Sequence, residues 1–549
     1  MALSEESEDT AGGRICGGLR DDRPIAAGMA LPEFIPFVAD PSNEYSSDAS
    51  PFGAGRNDTS PAQIWDFVPP DSAAQSVSRL ARLRPDLSSA TLLWRWQAQA
   101  LLCLLFVLMA ALVIAPAGLA VVLTLLLAVP FFSVYVLRFL AAAMALARTG
   151  VEGAGQDQLS DAECPTYALL VPLYDEADIV PGLVHALSAL DYPRDKLAIR
   201  LVVEEDDGHT HEALRRVVMP EHMRVLVVPG GEPKTKPRAL AVALDQTPGE
   251  LVVVFDAEDI PEPDQLRRVA GVFSKSPQQL ACVQACLNTF NPNETWITRQ
   301  FTIEYSALFD LILPALHRFG LPLPLGGTSN HFRRVALQEV LAWDPYNVTE
   351  DADLGIRIAR FGLKVGVIGS TTWEEAPPTL SIWLGQRTRW LKGWMQTYLV
   401  HMRRPRALAR ELGWWPFLGL QVLMGAMIAS ALVHPWFYVL LGYEIYMGSI
   451  LAVTGGESWS LLWWLALANL CLGYLSIAMI GAVAVWRRDR KALIAYLPLV
   501  PVYWLAISFA AYRALMELVS APFYWEKTRH RARHPQPVKD EGGCAPTSD

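Results

Sequence analysis

Seven cysteines among 549 residues, scattered and odd in number, imply no disulfide framework. Cys282 and Cys286 have no second Cys or His pair with which to complete a zinc site, so they read as small buried hydrophobes. Excess positive charge is missing too: the formal net charge is −10, which offers no footprint for nucleic acid. The chain does not open with a basic start, a short apolar core and a cleavage site, so no secretory leader is expected. Most of residues 1–90, rich in Ser, Asp, Pro and Gly, are expected to form a largely disordered cytoplasmic arm.

What the chain does have is apolar residues gathered into runs. They make up 52% of a sequence too long for one ordinary core. Trp96 to Leu137 contains no Asp, Glu, Lys or Arg and is interrupted by Ala115–Gly118. Since one crossing takes about 20 apolar residues, residues 91–148 are predicted to be a transmembrane helical hairpin. Uncharged stretches at 412–443, 458–486 and 492–512, with 436–453 apolar apart from Glu444, predict four further transmembrane or interfacial helices within 412–515, ahead of a tail at 516–549. Arg79, Arg82, Arg84 and Arg95 before the first crossing, Arg138 and Arg148 after the second and Arg403, Arg404, Arg406 and Arg410 before the next run put the segment 160–405 in the cytoplasm by the positive-inside rule. Pro498 and Pro501 break the last stretch. If the cluster at 487–491 and the basic residues at 527–533 are both cytoplasmic, that stretch must dip in and return or lie at the interface.

Within 160–405, TYALLVPLYDEADIV, AIRLVVEEDDGHT, MRVLVVPG and LVVVFDAED read as strands, separated by helix-length segments. Continuous apolar runs of this kind indicate a parallel α/β sheet buried on both faces, whose carboxyl ends gather ligands. Acids stand at three of those ends: Asp175 and Glu176, Glu204 to Asp207, and Asp256 to Asp259. Three acidic ends in one sheet would repel one another without something positive among them. A divalent ion carrying a diphosphate would discharge them, with few protein oxygens and the rest from phosphate and water.

Further along come LGGTSNHFRR at 325–334, VTEDADLG at 348–355 and QRTRW at 386–390. In this order the motifs resemble the family-2 glycosyltransferases, and among them the processive membrane-embedded synthases of the cellulose and hyaluronan type. The resemblance implies a GT-A-type, Rossmann-like α/β cytoplasmic domain inserted between transmembrane helices. It implies that Asp206 or Asp207 contacts the nucleoside, that Lys236 and Arg238 form a basic turn beside the nucleotide, and that Asp256 belongs to the acidic grip on diphosphate and metal. Glu258 stands where the family usually has a second Asp, which leaves Glu258 or Asp259 as the further ligand of Mg²⁺ or Mn²⁺. Asp351 resembles the general base, beside Glu350. Gln386, Arg389 and Trp390 resemble Q-x-x-R-W, whose Arg meets the diphosphate and whose Trp walls the acceptor site, with Gly327 and Thr328 in a loop near substrate. The partners implied are UDP-glucose, a β-linked polysaccharide, the lipid bilayer of a bacterial inner membrane and export proteins.

Each residue also has a plainer reading. Asp351 could cap the helix that follows it, Arg387, Arg389 and Lys392 could be a juxtamembrane basic face, and Trp383, Trp390 and Trp394 an interfacial belt. Arg333 and Arg334 read as a solvated pair, His331 as a packing residue, and Glu374 with Glu375 as a charged turn. Two other functions stay open: single transfer to a lipid acceptor, and a non-catalytic membrane assembly component.

Overall fold

The computed structural model describes residues 65–147, 159–446 and 457–524. Of the expected disordered arm, only residues from 65 onward are described, and these are ordered: β1 (Trp65–Phe67) and α1 (Pro70–Leu83) lead to the first long apolar helix. The basic residues at 527–533 lie outside the described residues.

Helix α2 (Arg95–Ile114) and helix α3 (Pro116–Leu146) form the predicted hairpin, broken at Ala115. The chain then enters a sheet. Strands β2 (Tyr167–Leu173), β3 (Leu197–Glu204), β4 (Met223–Val228) and β5 (Leu251–Val254) are the four apolar runs, and they pair in parallel. Helices α4 (Val180–Ser188), α5 (Gly208–Arg216) and α6 (Lys236–Gln246) make the crossovers. The sheet is larger than four strands and mixed: β6 (Ile260–Pro261), β7 (Leu280–Thr289), β8 (Asn330–Arg333) and β9 (Lys364–Glu374) complete the order β1-β4-β3-β2-β5-β8-β7-β9-β6. Strand β8 runs antiparallel between β5 and β7.

Alternation along the strands explains why both faces are dry. Ala168 and Leu170 of β2 join Val202, Leu226, Val252 and Val254 in one core under α6 and α1, while Tyr167, Leu169 and Val171 join Ile199, Leu201, Val225 and Val253 in another under α4 and α5. Because the chain passes from β2 to β3 on one side and returns to β5 on the other, the crevice between the carboxyl ends of β2 and β5 is a topological switch point.

The remaining helices build around that crevice. Helix α7 (Gln265–Lys275) covers the sheet, and α8 (Trp296–Ala307) continues through a π turn at Leu308–Ile312 into α9 (Leu313–Arg318). Helix α10 (Arg334–Glu339) precedes α11 (Glu350–Arg360), and α12 (Leu380–His401) packs against α11. After α13 (Pro405–Leu412) come α14 (Trp414–Leu420), α15 (Ala426–Tyr446), α16 (Glu457–Arg487) and α17 (Val500–Ser520).

Among the described residues, five segments are long and apolar enough to cross a membrane, three of them after the segment 160–405, where four transmembrane or interfacial helices were expected. The span anticipated at 436–453 is partly the continuation of α15, and its end lies outside the described residues. The last of the five, Lys491–Ser520, is tied to the sheet domain at both ends. Arg488 pairs with Asp310 at 2.6 Å and Arg490 donates to Asn288 before it, while Lys392 donates to the carbonyl of Tyr524 at 2.7 Å after it. Helix α17 therefore lies along α12, Tyr503 beside Trp383 and Glu517 beside Lys392. Its other face exposes Val502, Leu505, Phe509, Met516 and Val519, as a helix at a lipid surface would. Arg138 is inside α3 rather than flanking it, buried beside Ser476 and the ring of Trp504.

Gly355 marks a tight crossing, because a Cβ there would strike the backbone carbonyl of Leu323. Alanine's better helix propensity is worth about 1 kcal/mol, whereas forcing a backbone apart costs about 1–3 kcal/mol. Gly355→Ala should lower the melting temperature of the detergent-solubilised protein, and an unchanged or raised value would contradict this packing.

Candidate active site

At the switch point lies a cavity of about 740 Å³, reached by Pro172 at the end of β2 and Tyr174 just after it, Glu204 at the end of β3, Asp256 and Glu258 after β5, and Glu350 and Asp351 at the start of α11. A Cβ on Gly327 would lie 3.5 Å from Asp351 Oδ2, 3.8 Å from Lys236 Nζ and 4.0 Å from Asp256 Oδ2. The bare glycine thus lets three charged groups from distant parts of the chain approach one point. Lys236, the first residue of α6, donates to Asp256 Oδ1 at 2.5 Å and to the Gly327 carbonyl at 2.6 Å.

The acids here differ in environment. Burial and the neighbouring Asp351 push the Glu350 carboxyl up to about 7. Burial also raises Asp351, against the pull of the Ala352 amide, Lys236 and Arg389. Asp351 accepts from the Ala352 N–H at 2.7 Å, so it holds the first turn of α11 and faces the cavity at once. Glu374 is pushed well above the usual carboxylate range by burial and by Asp259, Glu258 and Asp256. For Lys236 burial works the other way, yet Asp256 and Glu350 outweigh it and keep the ammonium charged.

Several expected ligands are turned elsewhere. Asp259 is 1% exposed and accepts from the Asp256 N–H at 2.7 Å and from the Thr328 hydroxyl. It folds the acidic loop rather than lining the cavity, and Thr328, though at the wall, spends its hydroxyl there and on the Val254 carbonyl. Arg238 is buried against Glu204, both contacts at 2.9 Å, so it braces the floor instead of reaching a nucleotide. Asp207 caps α5 through the Thr210 N–H and accepts from the Asp175 N–H at 2.6 Å. Asp206 sits beyond the wall in an ion pair with Lys234 at 2.5 Å, and it is Lys234, above the Tyr174 ring, that lines the cavity.

For a metal ion this leaves Asp256 and Glu258 as hard oxygen donors. Among the described residues no three His, Cys, Asp or Glu side chains converge as a ready-made metal site. A divalent ion fits only if its other ligands arrive with a diphosphate and water.

Gln386, Arg389 and Trp390 of α12 form the opposite wall. Gln386 Oε1 is buried without a hydrogen-bond partner among the described residues. Trp390 stacks on Tyr305 with centroids 6.1 Å apart and planes 21° apart, and Tyr305 stacks on Phe301 at 4.2 Å. Arg387 lies 4.6 Å from the Trp390 ring and pairs with Glu304 at 2.5 Å, and Trp383 is wholly buried, so neither is a free juxtamembrane or belt residue. Arg333 and Arg334 are not a solvated pair either, because they donate to the carbonyls of Leu280 and Leu244. His331 is the packing residue expected, 2.6 Å from the Tyr167 hydroxyl.

The sequence reading passed over Tyr174, Lys234, Tyr305, Glu374 and the aromatic pair Phe523 and Tyr524 as wall residues. Tyr305 had an available signal, since it stands a helical turn from Phe301 on α8. Phe523 and Tyr524 arrive only because α17 returns along α12, which no local pattern announces.

Residues 165–393 match the profile of the family described as "Glycosyltransferase like family 2", so this mixed α/β segment is similar to the glycosyltransferases of that family. Its relatives include the probable glycosyltransferase YdaM of Bacillus subtilis, 25% identical over 42% of this chain and 56% of that protein. The beta-monoglucosyldiacylglycerol synthase of Synechocystis is 30% identical over 50% of this chain and 58% of that protein, and glucomannan 4-beta-mannosyltransferase 2 of Arabidopsis thaliana 26% over 43% and 46%. The chain thus spans about half the length of the curated relatives it matches. Among solved structures, a Pyrobaculum calidifontis mannosyltransferase in complex with GDP-Man and Mn²⁺ aligns with 72% of this chain and 98% of its own, at 18% identity and a TM-score of 0.46.

The raised carboxyl of Glu350 carries a pH signature. Its neutral form is favoured in the folded protein, so its contribution to stability is full below its ordinary value of 4.5 and is lost as pH rises through about 7. Glu350→Gln should therefore gain melting temperature relative to the wild type above neutrality and not at acid pH. The same change removes a negative neighbour of Asp351, which should move the acid limb of the pH–rate profile to lower pH. Profiles that superimpose would contradict this coupling.

Proposed function

We propose that the protein is a membrane-embedded inverting glycosyltransferase that moves a hexose from a nucleoside-diphosphate sugar, by resemblance UDP-glucose, to a growing β-linked polysaccharide. The observation that carries this reading is the convergence of Asp351, Asp256 and Lys236 on Gly327 inside the cavity of about 740 Å³. Asp351 takes the proton of the acceptor hydroxyl as its oxygen bonds to the anomeric carbon from the face opposite the diphosphate. The bond to the diphosphate breaks in the same step, and the charge that departs with it is met by Lys236 and Arg389. Asp256 and Glu258 would hold Mg²⁺ or Mn²⁺, which when bound neutralises diphosphate charge. No carboxylate is needed as nucleophile, so an α-linked donor gives a β-linked product.

Trp390 stacked on Tyr305 offers an aromatic platform of the kind a sugar ring lies against, which supports a saccharide acceptor. The catalytic domain would face the cytoplasm of a bacterial inner membrane, with export through the helices or a partner. A second reading, single transfer to a lipid acceptor, is favoured by one feature: Leu308, Phe309 and Leu313 give the cavity an apolar side on elements packed against α3.

Inverted membrane vesicles given radiolabelled UDP-glucose and Mg²⁺ should form a labelled product that Asp351→Asn reduces by at least about a hundredfold, the scale of a lost general base. A high-mass, glucanase-sensitive product supports polymerisation and a labelled lipid supports single transfer. Label that does not depend on Asp351 would sink the enzymatic reading.

A further inference from the structure

Glu374 has no part in the reaction outlined above, yet the fold holds it in the cavity. It is the last residue of β9, paired with Thr289, and its carbonyl accepts from the Phe290 N–H at 3.2 Å. Two residues on, Ala376 is locked by Asn291, which accepts from its N–H at 2.7 Å and donates to its carbonyl at 2.9 Å. The side chain therefore leaves a rigid frame. It is 9% exposed, it lines the cavity wall, and its Oε1 is buried with no hydrogen-bond partner among the described residues.

A buried oxygen left unpaired costs about 1–3 kcal/mol, and such atoms are rare enough in folded proteins that each needs an explanation. Here the missing partner has a definable chemistry. Asp256, Glu258, Lys236 and Tyr305 line the same cavity as the carboxyl, and the charges of Asp259, Glu258, Asp256 and Lys236 all reach it. The group thus shares its cavity with the acidic loop assigned to the donor diphosphate and with the Tyr305–Trp390 platform assigned to the acceptor. A donor of hydrogen bonds that enters with substrate at that place is a sugar hydroxyl.

We propose that Glu374 hydrogen-bonds a hydroxyl of the transferred sugar or of the acceptor sugar and thereby helps to select which sugar the site takes. This rests on the glycosyltransferase reading of the same cavity. Glu374 is a specificity residue in this account, and Asp351 remains the base.

The test is a calorimetric titration of the detergent-solubilised full chain, in the presence of Mn²⁺, with UDP, UDP-glucose and cellotetraose, for the wild type, Glu374→Ala and Glu374→Gln. If the hydroxyl belongs to the transferred sugar, Glu374→Ala binds UDP as the wild type does but UDP-glucose about tenfold more weakly, the scale of one hydrogen bond. If it belongs to the acceptor, both nucleotides bind normally and cellotetraose weakens about tenfold. In either case Glu374→Gln, which keeps a hydrogen-bonding oxygen, recovers most of the affinity. Equal weakening of UDP and UDP-glucose would show a purely structural role and overturn the proposal, as would unchanged binding of all three. A wild type that binds no UDP would overturn the glycosyltransferase reading itself, and the assignment with it.

Discussion

One ammonium group joins four separate pieces of the chain. Lys236, at the start of α6, reaches Asp256 after β5 and the carbonyl of Gly327 beside β8, and its field extends to Glu350 and Asp351 at the start of α11. Without a cation at this point, the acids gathered around the cavity would face one another across a poorly solvated space. The charge is not fully balanced even so. Glu350 and Glu374 are both pushed above the usual carboxylate range, first by burial and then by their acidic neighbours. A site left short of positive charge favours a divalent cation, and the ion that accompanies a diphosphate would supply it.

The long apolar helices are not an appendage to this arrangement. Arg488 and Arg490 follow α16 directly into contacts with Asp310 and Asn288 on the sheet domain. Helix α17 then lies along α12, the helix that carries Gln386, Arg389 and Trp390, and delivers Phe523 and Tyr524 to the cavity wall. On this geometry the cavity wall around Trp390 is shared between the sheet domain and the last apolar helix. Pro522 and Tyr524 accept from Gln396 and Lys392 of α12, so both ends of the stretch broken by Pro498 and Pro501 are held against the sheet domain.

The parts legible in the sequence were those with local causes. Strands β2 to β5 are apolar runs because both faces of the sheet are covered, and their acidic ends mark the crevice. Strands β7 and β8 carry Gln284, Asn330 and His331, whose polarity hides a strand; Gln284 donates to the Thr328 carbonyl and His331 meets Tyr167 across the sheet. The acids around the cavity separated only in the fold. Asp207, Asp259 and the guanidinium of Arg238 serve loops and a buried pair. Glu374, placed before two prolines, resembles a turn until Thr289 and Asn291 fix it from a distant part of the chain. Residue type and spacing bring a carboxylate to the right neighbourhood, and nonlocal hydrogen bonds decide which way it points.

The most direct test of the central claim is a density map of the full chain prepared with UDP and Mn²⁺. The account predicts the diphosphate between Asp256, Lys236 and Arg389, with the ion on the Asp256 side and the Lys236 ammonium drawn from its contact with Asp256 towards phosphate. Nucleotide bound anywhere else, or a cavity that stays empty while Lys236 keeps its present partners, would contradict it.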